Sequence, residues 1–198
     1  MVSPVPAQAS EALPLAPARI LVVGGGAREN ALAWALARSY GVEGVWVAPG
    51  NGGTAEVEGC QQLAIAETDG EGLRQAALAH RIELVVVGPE APLAAGLADD
   101  LRNAGLAVFG PGAEGALLEA SKQWAKGLMA EAGVPTAGHW CASSEGEALA
   151  VLEQQGTPLV VKADGLAAGK GVTVPATLED CRQAIREGFE CRFGAACD

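Results

Sequence analysis

Aromatic residues are scarce in this 198-residue sequence: four Trp, three Phe and one Tyr make up 4% of it. The apolar 49% is therefore mostly Ala, Val and Leu, and with 27 Gly this composition suits an α/β protein with tight strand-to-helix turns. Basic residues are also few. Thirteen Lys and Arg stand against 24 Asp and Glu, giving a net charge of −11. That argues against a nucleic-acid or anionic-membrane partner, either of which needs a basic footprint. It leaves room for an anionic small substrate, which a few local lysines and backbone amides can hold. Two histidines, His80 and His139, are too few for a His-based metal cluster. Five cysteines (Cys60, Cys141, Cys181, Cys191, Cys197) are an odd count without a CxxC pair. This argues against a disulfide framework or a zinc site and for reduced thiols in the cytoplasm. No apolar run approaches the roughly 18 residues of a membrane span. The first 18 residues hold four prolines and no Lys or Arg, so they lack the basic start and unbroken apolar core of a signal peptide and are expected to be a disordered leader.

What is present is an alternation. Short apolar runs at Ile20–Val23, Val45–Val47, Leu84–Val87 and Ala107–Phe109 read as four strands, each ended by Gly or Pro. Helical spacing over Arg28–Ser39, Glu71–Ala79 and Pro92–Ala104 separates them. The pattern predicts an open parallel sheet covered by helices, with a ligand in the crevice beyond the carboxyl ends of its strands. From Glu114 the character changes. Two successive helices are expected near Glu114–Ala120 and Lys122–Ala132, then a strand-like stretch at Trp140. A capping box at Ser144–Glu147 opens a helix to Gln155, a strand Leu159–Lys162 and a strand Val172–Val174 follow, and Thr177 opens a last helix to about Glu187. The expected organisation is a leader over 1–18, an α/β domain over 19–120 and a small α+β unit over 121–198.

The glycine loops can be tested against known phosphate chemistries. The dinucleotide pattern G-x-G-x-x-G puts its third glycine at Glu29 when counted from Gly24 and Gly26, and the acidic residue wanted at the end of the second strand is Ala48. An NAD(P) site is therefore not expected. The P-loop needs four residues between its glycines and a hydroxyl after its lysine. Gly165 and Gly169 are separated by three, and Gly171 follows Lys170. What remains is a glycine-rich connection between two strands with Lys162 at its base, longer than a plain hairpin needs. Its backbone amides and Lys170 suit a phosphate, and Lys162 at the end of an apolar run is costly unless its charge is used. A hairpin with a snorkelling Lys162 is the plain alternative.

Val160–Val172 (VVKADGLAAGKGV) resembles the glycine-rich loop of the glycinamide ribonucleotide synthetase (phosphoribosylamine–glycine ligase) family of ATP-grasp enzymes. Further segments match in order: Leu21–Gly26 with Arg28 and Glu29, Ala48–Thr54, Val87–Leu93, Phe109–Pro111, Glu119–Lys122 with Lys126, and Gly133–Thr136. The resemblance covers residues 19–194. It implies a pre-ATP-grasp domain followed by the small subdomain of a truncated ATP-grasp domain. It also implies the joining of glycine to 5-phosphoribosylamine: ATP phosphorylates the glycine carboxylate and the amine attacks the acyl phosphate.

By that resemblance the sugar phosphate and glycine lie on Gly25, Gly26, Arg28, Asn51, Gly52, Gly53, Thr54, Gly88, Pro89, Glu90, Ser121 and Lys122. ATP phosphates lie on Lys126, Lys162, Gly165, Gly169, Lys170 and Gly171, with Asp164 fixing its loop through the loop's own amides. Turn geometry for Gly52, Gly53 and Pro89, a helix cap for Ser121 and a solvated helix face for Lys122 and Lys126 are the structural alternatives. Ala27 and Asn30 depart from the family's GGGGREH loop, and Cys197 stands where a glycine is expected. The family continues for about as long again, with the Mg²⁺ (or Mn²⁺) ligands, the adenine hinge and a further domain. The 198 residues alone are therefore expected to be an N-terminal portion without ligase activity, completed by a C-terminal chain. Another ATP-grasp carboxylate–amine ligase, or a non-catalytic sugar-phosphate-binding remnant, are the alternatives.

Overall fold

A computed structural model describes residues 17–165 and 171–190. The elements run β1 (Arg19–Gly24), α1 (Ala27–Ala37), β2 (Gly44–Pro49), α2 (Gly52–Ala55), β3 (Cys60–Gln62), α3 (Gly70–Ala79), β4 (Leu84–Val87), α4 (Glu90–Ala94), α5 (Leu97–Asn103), β5 (Val108–Phe109), α6 (Ala113–Ala120), α7 (Lys122–Glu131), α8 (Glu145–Gln155), β6 (Val161–Lys162), β7 (Val172–Thr173) and α9 (Leu178–Phe189). They fall into two compact units. Of the described residues, one comprises 17–88 together with Leu101–Phe109; the other comprises Pro89–Asp100 and those from Gly110 onward.

The first unit is an all-parallel sheet of order β3-β2-β1-β4-β5. β1 is central and buried from Ile20 to Gly24. That is why its sequence is a continuous apolar run rather than an alternating one: both faces of a parallel sheet are covered. Ile20, Val22, Val45, Val47 and Val86 form a core with Ala33 of α1, while their neighbours Leu21, Val23, Val85 and Val87 are buried as well. The strand order reverses between β1 and β4, and their carboxyl ends are in register, with Val23 beside Val87. This is the switch point where such sheets open a crevice.

The structure adds an edge strand to the four expected. β3 pairs with β2 through Cys60, Gln61 and Gln62; its polar, largely exposed residues carry no apolar signature. The single helix expected over Pro92–Ala104 is two. Gly96, at φ 92°, breaks it between α4 and α5, and Pro92 does not start α4 but is its third residue, still in the first turn, where its missing N–H costs nothing.

In the second unit, β6 and β7 pair antiparallel. Leu152 of α8 and Cys181 and Ile185 of α9 form its core, with Leu159 and Val161 packed against them. The Cys181 thiol donates to the Leu159 carbonyl at 3.4 Å and accepts from its N–H at 3.3 Å. The strand expected from Leu159 is thus confined to Val161–Lys162, because Leu159 bonds to a helix instead of a neighbouring strand. Trp140 lies in irregular chain. Thr177 and Asp180 cap α9 reciprocally. At α8 the expected box is only half formed: Ser144 accepts the Glu147 N–H, but the Glu147 carboxylate turns to Ser143 N–H and Oγ–H. No helix among the described residues is long and apolar enough to cross a membrane.

Candidate functional site

In the first unit the loops after β1, β2 and β4 meet at the carboxyl ends of the strands. Asn51 is the joint between the first two. Its Oδ1 accepts the N–H groups of Gly53 (2.8 Å) and Thr54 (3.1 Å), and its Nδ2 donates to the carbonyls of Gly25 (2.9 Å) and Gly26 (3.2 Å). All four hydrogen-bonding positions of the amide are used. Asn51 therefore shapes the site, and its side chain has no capacity left for a ligand. Thr54 is spent likewise. It is 1% exposed, and its hydroxyl donates to Asn51 O and accepts the Asn51 N–H, both at 2.7 Å.

Gln62, from the unforeseen edge strand, donates to Thr54 Oγ1 at 2.6 Å and to the Asn51 carbonyl. No sequence pattern marked it; a polar side chain beside a glycine turn is an ordinary surface feature. Gly50 sits under this network at φ 70°, and a Cβ there would meet Thr54 Oγ1 and Gln62 Nε2. Only glycine fits both the backbone and the space.

With Asn51 and Thr54 committed inward, Gly26, Arg28, Gly52 and Gly53 are left exposed, and Arg28 keeps 62% of its side-chain exposure. Asn30, where the related loop carries histidine, turns its amide toward Gly53, and its Oδ1 is buried without a hydrogen-bond partner. An open groove of about 530 Å³ runs from Ala27 and Gly53 along Trp34, whose ring is covered by the Arg38 guanidinium at 4.4 Å.

Glu29 was not among the expected contacts, and Gly88, which was, lies against it. Glu29, 3% exposed, is with Thr54 one of the buried polar residues among those described. Its Oε2 accepts the Gly26 N–H at 2.8 Å and its Oε1 the Arg28 Nε–H at 3.0 Å. Gly88, at the end of β4, lies directly against that carboxylate, so that a Cβ on Gly88 would overlap it. Pro89 and Glu90 follow in sequence and belong to the second unit, where Pro89 is the N-cap of α4.

In the second unit the base of the long glycine loop is tied to the start of α7. Asp164 Oδ2 accepts the Ser121 hydroxyl at 2.9 Å, and Oδ1 accepts the N–H groups of Lys122 (2.5 Å) and Gln123 (3.3 Å). Partial burial pushes the Asp164 carboxyl up, but these bonds and one from the Gly165 N–H outweigh it and hold the group below the usual aspartate value. Of the bonds expected from its own loop's amides, Asp164 has the one from Gly165, and the others come from the start of α7. The helix start has unpaired N–H groups that attract a carboxylate more than a loop does. Ser121 is the N-cap of α7, accepting the Trp124 N–H at 3.1 Å, and it serves Asp164 with its own proton.

Lys122 Nζ donates to the Gly165 carbonyl at 3.0 Å, so Lys122 braces the loop rather than lying on a solvated face. Lys126 Nζ donates to Thr136 Oγ1 (2.6 Å) and the Ala137 carbonyl (2.9 Å). Lys162 is exposed, so the desolvation cost expected of it does not arise. The loop closes at its base through Ala163 N–H to Gly171 O at 2.8 Å; Gly169 and Lys170 lie outside the described residues. Among the described residues no group of three or more His, Cys, Asp or Glu could hold a metal ion.

Two family models match the chain and meet at residues 119 and 120, which is not where the two compact units divide. A family model described as phosphoribosylglycinamide synthetase, N domain, matches residues 18–119. One described as phosphoribosylglycinamide synthetase, ATP-grasp (A) domain, matches residues 120–198. The phosphoribosylamine–glycine ligase of a Nostoc species is 53% identical over 178 residues, covering 90% of this chain and 42% of that protein. The enzyme of the same name from Escherichia coli is 48% identical over 169 residues, 85% of this chain and 39% of its own length. The chain thus spans about two-fifths of the length of the curated relatives it matches. Among solved structures, phosphoribosylamine–glycine ligase from Thermotoga maritima superposes with a TM-score of 0.65 at 30% identity, over 90% of this chain and 40% of that one. N5-carboxyaminoimidazole ribonucleotide synthetase from the same organism, at 18% identity and a TM-score of 0.61 over 82% of this chain and 42% of that one, shares the fold.

Proposed function

Because the chain belongs to the phosphoribosylglycinamide synthetase family, we propose that it supplies the sugar-phosphate side and part of the ATP side of a phosphoribosylamine–glycine ligase. The reaction joins the amine of 5-phosphoribosylamine to the carboxylate of glycine at the expense of ATP. Residues 19–120 form the substrate domain in this reading and 121–198 the start of the ATP-grasp domain.

The observation that carries the reading is the division of labour among the strand-end loops. Asn51, Thr54 and Gln62 use their polar atoms on one another and on the glycine turns. This ties the Gly25–Gly26 turn to the Gly52–Gly53 turn and leaves Gly26, Gly52, Gly53 and Arg28 exposed. Backbone without side chains lets an anion approach closely, and a guanidinium adds charge that matches a phosphate. By the family resemblance, Gly88 in the same unit, and Pro89, Glu90, Ser121 and Lys122 in the second unit, are further candidates for contacts with phosphoribosylamine and glycine.

For ATP, Lys162 is exposed at the loop base and the Ala163–Gly171 bond holds the two ends of the loop together. That supports Lys162, Gly165, Gly169, Lys170 and Gly171 as the phosphate cover, with Lys126 and Asp164 as the framework that aims it. ATP supplies the phosphoryl group that activates a carboxylate. What these residues contribute is charge neutralisation and placement, the main demands of phosphoryl transfer. The described residues do not fit a metal site, so the ligands for Mg²⁺ or Mn²⁺ are assigned to the part of the relatives that these residues do not span, in the same chain or a complementing one.

The test is ADP release by the protein that carries these residues together with the segment its relatives add. Release that needs both glycine and phosphoribosylamine supports the reading. Release with a different carboxylate and amine contradicts it and favours another ATP-grasp ligase.

A further inference from the structure

Glu29 is not one of the groups expected to touch a ligand, yet its surroundings are unusual. It occupies the third position of α1, where a carboxylate commonly turns back to the N-cap amide. Asp180 does this in α9, bonding Thr177 N–H at 3.0 Å while itself exposed. Glu29 makes the same bond to Gly26 but is buried. A helix cap does not require burial, and a carboxylate taken out of water is costly unless its oxygens are used. Both are used here: Oε2 by Gly26 N–H and Oε1 by Arg28 Nε–H. The carboxylate also fills the space left by the missing side chain of Gly88. It therefore touches the loop after β1 and the end of β4, the two strands that flank the switch point.

We propose that Glu29 is a positioning residue for the sugar-phosphate site, setting the Gly26 amide, the Arg28 guanidinium and the Gly88 backbone in one fixed arrangement. The inference rests on the reading of these loops as a sugar-phosphate site. The Gly25–Gly26 turn is then clamped from both sides: Asn51 holds its carbonyls and Glu29 holds its N–H. Two donors on two different oxygens make the requirement specific to a carboxylate. A glutamine has one oxygen, so Glu29→Gln must set an NH₂ against either the Gly26 N–H or the Arg28 Nε–H. An aspartate keeps the cap, as Asp180 does, but is one methylene too short to cap Gly26 and also fill the space at Gly88.

The experiment is calorimetric titration of ribose 5-phosphate into the 198-residue chain and its E29Q and E29D variants, with far-UV circular dichroism and thermal melting as checks on the fold. The expected result is that wild type binds and both folded variants bind about tenfold or more weakly, the scale of a lost hydrogen bond to a charged group. E29D is expected to melt close to wild type. Binding by E29D equal to wild type would overturn the inference and leave Glu29 as a helix cap. Failure of both variants to fold would also overturn it, making Glu29 a requirement of the fold. Absence of binding by wild type would instead overturn the sugar-phosphate reading, and this inference with it.

Discussion

The side-chain amide of Asn51 reaches back 26 positions to donate to the Gly25 carbonyl at 2.9 Å. A residue that the family resemblance offers as a ligand contact is the bolt between two glycine turns. Asn51→Ala removes two donated and two accepted bonds and is expected to lower stability by about 2 kcal/mol, a cap loss plus a tertiary tie. Urea unfolding measures the stability loss. Ribose 5-phosphate affinity should fall in the folded fraction as well.

Gln62→Ala tests the part of the network that comes from the edge strand. It removes the bonds to Thr54 Oγ1 and Asn51 O without opening a core cavity, so a loss of about 1 kcal/mol is expected. A double mutant with Asn51→Ala should fall short of the sum of the single losses, because the two side chains serve one network.

How far these loops could be read from sequence depends on what each residue answers to. β1, β2 and β4 were legible because burial on both faces demands unbroken apolar runs, and α1, α3 and α9 because their caps and apolar spacing are local. β3 was not legible: Cys60–Gln62 pairs on one side only, and of its three residues Cys60 alone packs against the core, too little to make a pattern. The break at Gly96 was hidden inside good helical spacing, since one glycine is compatible with either a continuous or a broken helix. At the candidate site the glycines and Asn51 were found, but not what they do. The carbonyls to which Asn51 donates lie 25 and 26 positions away, and the Ser121–Asp164 bond spans 43. Such pairings are set by the sheet and the packing of helices, not by spacing.

Gly88→Ala should displace the Glu29 carboxylate, since the new Cβ would overlap it. Overpacking of this kind costs about 1–3 kcal/mol. The chemical-denaturation midpoint reports it, and a combined Gly88→Ala, Glu29→Ala chain should recover part of the loss by restoring room.

Asp164 gives a pH dependence of defined sign. Its bonds from Ser121, Lys122, Gln123 and Gly165 place its folded value below the ordinary 3.8. Its contribution is therefore present above the unfolded value and is lost as pH falls through the lower, folded one. The tie between the loop base and α7 should hold at neutral pH and fail only in acid, below 3.8. Asp164→Asn should lower stability at pH 7 by about 1 kcal/mol, kept small by solvent around the carboxylate. Its difference from wild type should shrink in acid, which urea midpoints at both pH values would record.

The central claim is that the exposed glycine backbone beside Arg28 binds a sugar phosphate. It is tested most directly by calorimetry of the 198-residue chain with ribose 5-phosphate, and with ribose as the matched ligand lacking the phosphate. Saturable one-site binding of ribose 5-phosphate, weakened by added salt and absent for ribose, is the predicted result. Equal binding of the two sugars, or no binding of ribose 5-phosphate, would contradict it.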